Sequence, residues 1–292
     1  MSKKKIAVVG SGPAGIAAAI QLKRFGLDFD LFEKDIVGGL LWNANLVENY
    51  PGFPAGISGP DLIQLMNNQM EQVSINVVYS KITNIECVEG KYILSYSEGN
   101  TEYDYTIVAT GTKPKIPYDI DRFPSSIHIR HDIKNILDIK GRTILIVGGG
   151  DAAFDQAINL ARSNKVIIAN KGSEKRCLPI LAYNVKLNPQ IRYIDEARIS
   201  NIEQATKLVD GGKRLIITLE KGIDSEIIEC DDVVFAIGRT PQLDFIESNI
   251  NESGLFFVGD VHNGRFRQTA IAVGEGVLAA MKVEKLISRG DK

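Results

Sequence analysis

The chain has few cysteines, no long apolar run and no excess of charge of either sign. Its 292 residues contain three cysteines, Cys87, Cys177 and Cys230, which lie so far apart that neither a C-x-x-C redox pair nor a zinc pattern can be written. No apolar stretch reaches the roughly 20 residues that span a membrane, and no signal peptide precedes the first predicted strand. The formal net charge of −2 gives no electrostatic basis for binding nucleic acid. We therefore expect a cytoplasmic protein with neither a membrane nor a nucleic-acid partner.

Residues 5–33 carry the strongest pattern in the chain, an apolar strand, a glycine turn, a helix and a second strand that ends on Glu33. Gly10 permits the tight turn, Gly12 lets the backbone approach a pyrophosphate, and Gly15 lets the helix pack close to the strand. The helix N-terminus favours an anion, and Glu33 is placed to accept hydrogen bonds from a ribose. The alternative is a purely structural glycine turn. The complete unit favours dinucleotide binding.

Residues 143–171 repeat this unit, with an apolar strand, the turn Gly148-x-Gly150-x-x-Ala153, an amphipathic helix and a second apolar strand. The segments downstream of both units also correspond. Each shows short alternating strands broken by glycine turns, followed by a buried strand that ends on glycine. The sequence therefore predicts two copies of one nucleotide-binding fold.

Two glycine-to-proline segments, 111–114 and 238–241, each end a predicted strand and read as the two connections between domains. We assign residues 1–112 and 241–292 to one domain and 113–240 to a second domain inserted into it. The predicted fold class is α/β, with two Rossmann-like nucleotide-binding domains. Each domain has three layers and combines a parallel sheet with a small antiparallel meander.

Several segments, in order, resemble one family, the low-molecular-weight thioredoxin reductase-like flavoproteins. They are GSGPAGIAAA, Glu33, residues 38–40, VENYPGFP, ATG at 109–111, AIGRTP, FFVGDV and RFRQTAIAVGEG. The resemblance covers nearly the whole chain. It implies that the first domain binds FAD and the second a nicotinamide dinucleotide.

The resemblance also implies roles for individual residues. In the first domain the turn would hold the FAD pyrophosphate, Glu33 the adenosine ribose, Asn49 the flavin edge and Asp260 the ribityl chain. The full set of FAD-binding positions is Gly10, Gly12, Pro13, Ala14, Gly15, Glu33, Lys34, Gly39, Leu40, Asn49, Ile82, Ala109, Thr110, Gly111, Gly259, Asp260, Arg267, Gln268 and Thr269. Arg267, Gln268 and Thr269 would meet the flavin ring at a helix N-terminus, where negative charge is stabilised. A solvated cation at the helix start is the alternative for Arg267.

The second turn would bind NADP, with NAD also possible. Its implied binding positions are Gly148, Gly150, Asp151, Ala152, Ala153, Lys171 and Arg176. Ala152 stands where the family commonly has a hydroxyl, and the family's His-Arg-Arg signature is reduced to Asn170-Lys171-Gly172 followed by Arg176. Positive charge there favours the 2′-phosphate of NADP. NAD would instead favour an acid at the end of the second strand of this unit, and that strand does not end on an acid. Surface charges on a loop are the alternative reading of the two cations.

The family's C-x-x-C dithiol is missing from the region where it belongs, which reads SSIHIRHDIKNILDIKG. Without a thiolate the family's dithiol relay cannot run, and the layout is closest to the ferredoxin–NADP reductases built on the same scaffold. His128 and His131 are candidates for proton transfer, with surface positions as the alternative.

We therefore predict an FAD-dependent NAD(P)H oxidoreductase that passes electrons to an external acceptor, ferredoxin or another small redox protein. A thiol–disulfide reductase that uses a non-standard cysteine and a non-catalytic flavin-binding sensor or scaffold are the alternatives. A homodimer is expected.

Overall fold

The computed structural model describes residues 4–117, 120, 123–124, 127, 129–205, 214–248, 250 and 253–290. His128 lies outside the described residues. The chain divides into two compact units. The first unit comprises Met1–Lys113 and Thr240–Lys292, and the second unit comprises Pro114–Arg239.

The first unit is built on a five-stranded parallel sheet, a three-stranded antiparallel meander and three helices. The strands in chain order are β1 (Ile6–Val9), β2 (Phe29–Glu33), β3 (Val77–Tyr79), β4 (Asn84–Val88), β5 (Lys91–Tyr96), β6 (Gly99–Tyr103), β7 (Tyr105–Val108) and, near the C-terminus, β18 (Leu255–Phe257). The helices are α1 (Pro13–Arg24), α2 (Gly59–Gln72) and α5 (Thr269–Gly290). The sheet order is β18-β7-β1-β2-β3, and β4, β5 and β6 form the meander.

Close packing of small residues joins α1 to α5 in the first unit. A Cβ added at Gly276 would lie 2.1 Å from the Ala14 carbonyl oxygen, so only glycine fits at this crossing. Ala18 and Ala280 are fully buried on the two helices. The strand β1 is buried along its whole length, as expected for the central strand of a sheet covered on both faces. This packing holds the start of α1 firmly against the sheet.

The second unit repeats this architecture. Its strands are β9 (Ile129–Arg130), β10 (Thr143–Val147), β11 (Lys165–Ala169), β12 (Ile191–Ile194), β13 (Arg198–Gln204), β14 (Leu215–Lys221), β15 (Asp224–Cys230) and β16 (Asp232–Phe235), and its helices are α3 (Asp151–Leu160) and α4 (Pro179–Leu187). The parallel sheet has the order β12-β11-β10-β16-β9, and β13, β14 and β15 form the meander.

The two sheets differ in which part of the chain supplies the edge strand next to β7 in the first unit and next to β16 in the second. In the first unit that strand is β18, which comes from the C-terminal part of the chain, whereas in the second unit it is β9, which precedes the glycine turn. The connecting segments β8 (Thr112–Pro114) and β17 (Arg239–Pro241) pair with each other. The predicted α/β fold with two Rossmann-like domains and two meanders is confirmed. No helix in the described parts of the chain is long and apolar enough to cross a membrane.

Candidate dinucleotide-binding sites

The carboxyl edge of the first sheet brings together most of the residues predicted to bind FAD. Because β1, β2, β7 and β18 are parallel, the segments that follow them meet at one edge. These segments are 10–15, 33–34, 109–111 and 259–260. A Cβ added at Gly10 would lie 2.6 Å from the Ala109 carbonyl oxygen, and one at Gly259 would lie 3.0 Å from the Ala14 Cβ. Four segments distant in sequence therefore form one continuous surface at this edge of the sheet.

The three glycines of the first turn have different surroundings. Gly10 has φ +101°, which a residue with a side chain rarely adopts. A Cβ at Gly15 would lie 1.8 Å from the Gly10 carbonyl oxygen, so Gly15 permits the close approach of helix and strand. In contrast, no described atom lies within 4 Å of a Cβ added at Gly12. Gly12 is also the N-cap of α1, and no side chain caps this helix end. Open space and helix N–H groups of this kind fit a pyrophosphate.

Glu33 is buried at the end of β2, beside the first turn. One carboxylate oxygen accepts hydrogen bonds from the Ser11 backbone N–H at 2.9 Å and from the Ser11 hydroxyl at 2.7 Å. The other accepts from the Asp35 backbone N–H at 3.0 Å. An ionised carboxylate has about four acceptor positions, so Glu33 retains capacity for a ribose hydroxyl. The bonds to Ser11 are not visible in the sequence pattern.

Residues 39–40 and 49 lie on the segment that follows β2. Gly39 begins a short 3₁₀ helix, Gly39–Asn43, and a Cβ there would lie 3.4 Å from the Gly12 Cα, so Gly39 and Leu40 stand beside the turn. The Asn49 amide donates a hydrogen bond to the Gln268 side-chain oxygen at 2.9 Å. The two residues predicted to meet the flavin from separate segments therefore contact each other.

A carboxylate within α5 supports the loop that precedes this helix. Glu275 accepts hydrogen bonds from the Gly259 backbone N–H at 2.6 Å and from the Asn263 side-chain amide at 2.8 Å. Asp260 lies in the 3₁₀ helix Gly259–Val261, and Arg267 and Gln268 come directly before Thr269, the first residue of α5. Sequence reasoning missed Glu275, because its role depends on a contact between segments 16 residues apart.

Three further predicted residues lie around this edge with different surroundings. The Lys34 ammonium donates to the Gln242 side-chain oxygen at 3.0 Å, and the Thr110 hydroxyl donates to the Gln242 carbonyl at 3.0 Å. The Ile82 side chain is buried in the core cluster beneath the meander, together with Val9 and Val108. Any ligand contact at Ile82 would therefore involve its backbone.

The second turn has the same construction as the first. Gly148 has φ +155°, and a Cβ there would lie 2.4 Å from the Ala236 carbonyl oxygen. Gly150 is the N-cap of α3 and has no side-chain cap, while its backbone forms a parallel bridge with Arg176 and its carbonyl accepts from the Ala153 N–H at 3.1 Å. A helix N-terminus of this kind favours an anion. Ala152 is exposed and Ala153 is buried. The Asp151 carboxylate accepts from the Leu178 backbone N–H at 2.7 Å and thereby ties the helix start to the following loop.

Asn170 occupies, in the second unit, the place that Glu33 holds in the first. The Gly10 N–H donates to the Phe32 carbonyl just before Glu33, and the Gly148 N–H donates to the Ala169 carbonyl just before Asn170. The Asn170 side chain lies against Gly149, since a Cβ there would be 2.4 Å from the amide oxygen. A buried neutral amide therefore stands where the first unit has Glu33. The sequence shows that the second strand ends on no acid, and the hydrogen bonds of the two turns identify Asn170 as the residue in that place.

The basic loop between β11 and α4 is held against the second turn. The Asn170 amide donates to the Glu174 carbonyl at 2.9 Å, and the Arg176 backbone N–H donates to the Gly149 carbonyl at 2.8 Å. The Lys175 ammonium lies 4.7 Å from the centre of the Tyr193 ring, within cation–π range. The side chains of Lys171 and Arg176 are exposed. This loop therefore presents fixed positive charge next to a helix N-terminus.

The three cysteines are separate from one another and none forms a disulfide. Cys230 is buried in the second unit, and its burial, with Asp231 and Asp232 nearby, raises its pKa to about 12. Burial and the Asp151 carboxylate also raise the pKa of Cys177. Cys87 lies half-buried on β4 against the core. Since the thiolate is the reactive form, Cys177 and Cys230 lie in surroundings that suppress thiol chemistry.

His131 follows β9 at the carboxyl edge of the second sheet. Its ring lies 6.3 Å from that of Phe235, centre to centre. Burial is the main cause that lowers the pKa of His131, and Arg239 acts in the same direction. Both causes favour the neutral imidazole. Proton transfer by His131 stays a prediction. No cluster of three or more metal-ligating side chains occurs among the described residues.

Two glycine turns at helix N-termini, each at the carboxyl edge of a parallel sheet, define a protein of the two-dinucleotide class. A family profile described as "Pyridine nucleotide-disulphide oxidoreductase" matches residues 4–276. The chain belongs to this family and is a flavin-dependent pyridine nucleotide oxidoreductase with FAD and NADP as cofactors.

Curated relatives agree with this assignment, and solved structures show the same fold. The thioredoxin reductase of Chlamydia trachomatis is 28% identical over 316 residues, which cover 98% of this chain and 99% of the relative. The structure of Lactococcus lactis thioredoxin reductase has a TM-score of 0.84 at 24% identity and covers 98% of this chain and 100% of its own. That of T. acidophilum thioredoxin reductase has a TM-score of 0.82 at 24% identity and covers 98% and 99%. The resemblance to thioredoxin reductase-like flavoproteins is therefore confirmed.

Proposed function

We propose that this protein carries electrons from NADPH through FAD to a small redox protein that contains a disulfide. FAD would lie at the carboxyl edge of the first sheet, and NADPH at the second turn, with Lys171 and Arg176 on its 2′-phosphate. The single observation that carries the dinucleotide assignment is the repeated geometry of the turns, in which no side chain caps the helix N-terminus at Gly12 or at Gly150. The net reaction converts NADPH, a proton and a protein disulfide into NADP⁺ and a protein dithiol.

The choice of acceptor revises the expectation from sequence, which ranked ferredoxin first. The relatives named above are thioredoxin reductases, and this favours a disulfide protein over a ferredoxin. The chain itself has no C-x-x-C pair, and its thiols at 177 and 230 have raised pKa values. We therefore propose that the acceptor disulfide is reduced without a thiol of this chain. Bound FAD supplies the hydride-accepting and electron-passing chemistry, and the protein orients and tunes it.

Ferredoxin as acceptor remains the second candidate, because the missing dithiol is what a one-electron partner would permit. Anaerobic mixing with NADPH or NADH, followed by absorbance of the flavin, tests the first half of the reaction. Reoxidation by thioredoxin or by ferredoxin tests the second half. Flavin that stays oxidised with both nucleotides while FAD is bound would favour the non-catalytic sensor.

Removing all three cysteines should leave the rate of flavin reduction and of electron delivery nearly unchanged. We expect this for Cys87→Ser, Cys177→Ser and Cys230→Ala combined, since the surroundings of Cys177 and Cys230 suppress the thiolate and Cys87 packs against the core. The measurement is NADPH oxidation with thioredoxin and, separately, with ferricyanide. Because Cys230 is buried, the double variant at Cys87 and Cys177 serves as a control that leaves this buried side chain unchanged.

Thioredoxin reduction that disappears with Cys177→Ser while ferricyanide reduction persists would contradict the proposal. It would establish a reductase that uses a non-standard cysteine.

We also propose that the protein forms a homodimer through the first unit. A groove of about 330 Å³ lies between α1, α2 and α5 and is lined mainly by apolar side chains, including Ile16, Ile20, Phe53 and Leu65. Leu65 is half exposed there. The same apolar surface on a second copy would cover this groove in a two-fold contact.

Light scattering after size exclusion should therefore give twice the chain mass of 32.0 kDa. Leu65→Arg should give the monomer, since it places a charge in an apolar contact. A monomeric wild-type protein would refute the dimer.

A further inference from the structure

The outer face of α4 carries an exposed apolar stripe in the second unit. Ile180, Tyr183 and Leu187 are 50%, 58% and 62% exposed, and Leu178, just before the helix, is 56% exposed. The spacing i, i+3, i+7 places the three helical residues on one face. We call Leu178, Ile180, Tyr183 and Leu187 the α4 stripe.

The opposite face of α4 packs against the core of the second unit. Val185 is buried, and Leu181 and Ala182 pack against the same core cluster. Helices at a protein surface normally carry polar residues outside, and scattered single apolar residues need no explanation. Four large apolar side chains within ten residues are a contiguous patch, which indicates a contact surface.

Four basic residues lie close in sequence to the α4 stripe. Residues 171–187 contain Lys171, Lys175, Arg176 and Lys186 against the single acid Glu174, although the whole chain has a net charge of −2. The loop is fixed in place, because the Leu178 N–H bonds to the Asp151 carboxylate and the Arg176 N–H to the Gly149 carbonyl. Lys175 and Arg176 come shortly before Leu178, and Lys186 lies near the end of α4, so cations flank the apolar stripe at both of its ends. An apolar centre flanked by cations is complementary to an acidic surface with an apolar centre.

We infer that the α4 stripe is the docking surface for an acidic redox protein that carries a disulfide, an inference that rests on the proposed function. A second copy of this chain fits the surface less well. A two-fold contact through the stripe would bring two cationic loops together. A stable interface also buries about 800 Å² on each partner, more than one helix of nine residues offers. Transient redox complexes have smaller interfaces than stable dimers, so a surface of this size fits an acceptor that binds transiently.

The test measures binding of an acidic thioredoxin to the oxidised FAD-loaded protein by biolayer interferometry, which requires no turnover. The variant Ile180→Ser, Tyr183→Ser, Leu187→Ser should weaken binding roughly tenfold to a hundredfold, because apolar anchors at the centre of an interface carry most of its affinity. Lys186→Glu should slow association and reduce its dependence on salt. Neither change involves a residue assigned to FAD or NADPH, so reduction of ferricyanide by NADPH should not change.

The matched control is Ile223→Ser with Ile227→Ser, two exposed apolar residues, the first in the β14–β15 turn and the second within β15 of the same unit. This control should bind thioredoxin like the wild type. Equal binding by the α4 variant and the wild type would overturn the inference, as would a wild type that binds ferredoxin but not thioredoxin. A change of oligomeric state in the α4 variant alone would assign the stripe to a contact between copies. Flavin that NADPH fails to reduce would instead refute the proposed function, and the binding result would still stand.

Discussion

Gly12→Asp should give a colourless protein that is folded at least as well as the wild type. The position has φ −72° and ψ −178°, which any residue adopts, and no described atom lies within 4 Å of the new Cβ. Aspartate is also a favoured N-cap and would bond to the N–H groups at the start of α1, a gain of roughly a few tenths of a kcal/mol over glycine. The same bonds withdraw these donors from the pyrophosphate, and the carboxylate repels it.

The expected loss of FAD affinity is large. Two charge-assisted hydrogen bonds, at about 1.5 to 3 kcal/mol each, correspond to roughly a hundredfold to ten-thousandfold weaker binding, before repulsion is added. Flavin content after purification and titration of the apoprotein with FAD measure the affinity, and thermal unfolding of both apoproteins measures the fold. Full flavin content in Gly12→Asp would show that the first turn does not hold FAD.

Gly15→Ala is the informative contrast, because there a Cβ would lie 1.8 Å from the Gly10 carbonyl oxygen. This change should lower the stability of the apoprotein itself. The pair of variants therefore separates a glycine required by a ligand from a glycine required by the fold. The spacing of the motif identified both positions, but only the coordinates distinguish their surroundings.

Sequence patterns predicted the regular elements well and the long-range contacts poorly. The two glycine turns, the two meanders and the insertion of one unit into the other follow from local periodicity and duplication. The strand β9 has only two residues, so no alternation could reveal it, and its segment read as a linker. The α4 stripe was missed for another reason. Apolar spacing predicts a helix but does not tell which of its faces the fold covers.

At the candidate sites, too, sequence patterns identified residues in local motifs but not contacts between distant segments. Glu33 was found because an acid at the end of the second strand belongs to a known pattern. Its bonds to Ser11, and the support that Glu275 gives to the loop before α5, depend on distances between segments. The sequence showed that the second unit has no acid at the end of this strand. The contacts of the Asn170 side chain with Gly149 and with the Glu174 carbonyl became visible only in the structure.

Lys171→Ala with Arg176→Ala should raise the KM for NADPH roughly tenfold to a hundredfold and leave the KM for NADH almost unchanged. Each exposed cation would contribute one charge-assisted bond to the 2′-phosphate, reduced by solvent screening from its gross value of about 1.5 to 3 kcal/mol. The Arg176 backbone bond to Gly149 does not depend on its side chain, so the loop should keep its position. Stopped-flow reduction of the flavin by each nucleotide gives the two constants. Equal changes in KM for both nucleotides would show that these two residues do not bind the 2′-phosphate.

Asn170→Asp should shift the nucleotide preference from NADPH towards NADH. The carboxylate would stand where Glu33 stands in the first unit, close to the ribose 2′-hydroxyl of NADH and opposed to the 2′-phosphate of NADPH. The Tyr193 hydroxyl, 3.0 Å from the Asn170 amide nitrogen, can turn to donate to it, and the bond to the Glu174 carbonyl is lost. Calorimetric binding of 2′,5′-ADP and of 5′-ADP measures the effect without turnover. We expect weaker binding of the first and stronger binding of the second, and an unchanged ratio would show that Asn170 does not face the ribose.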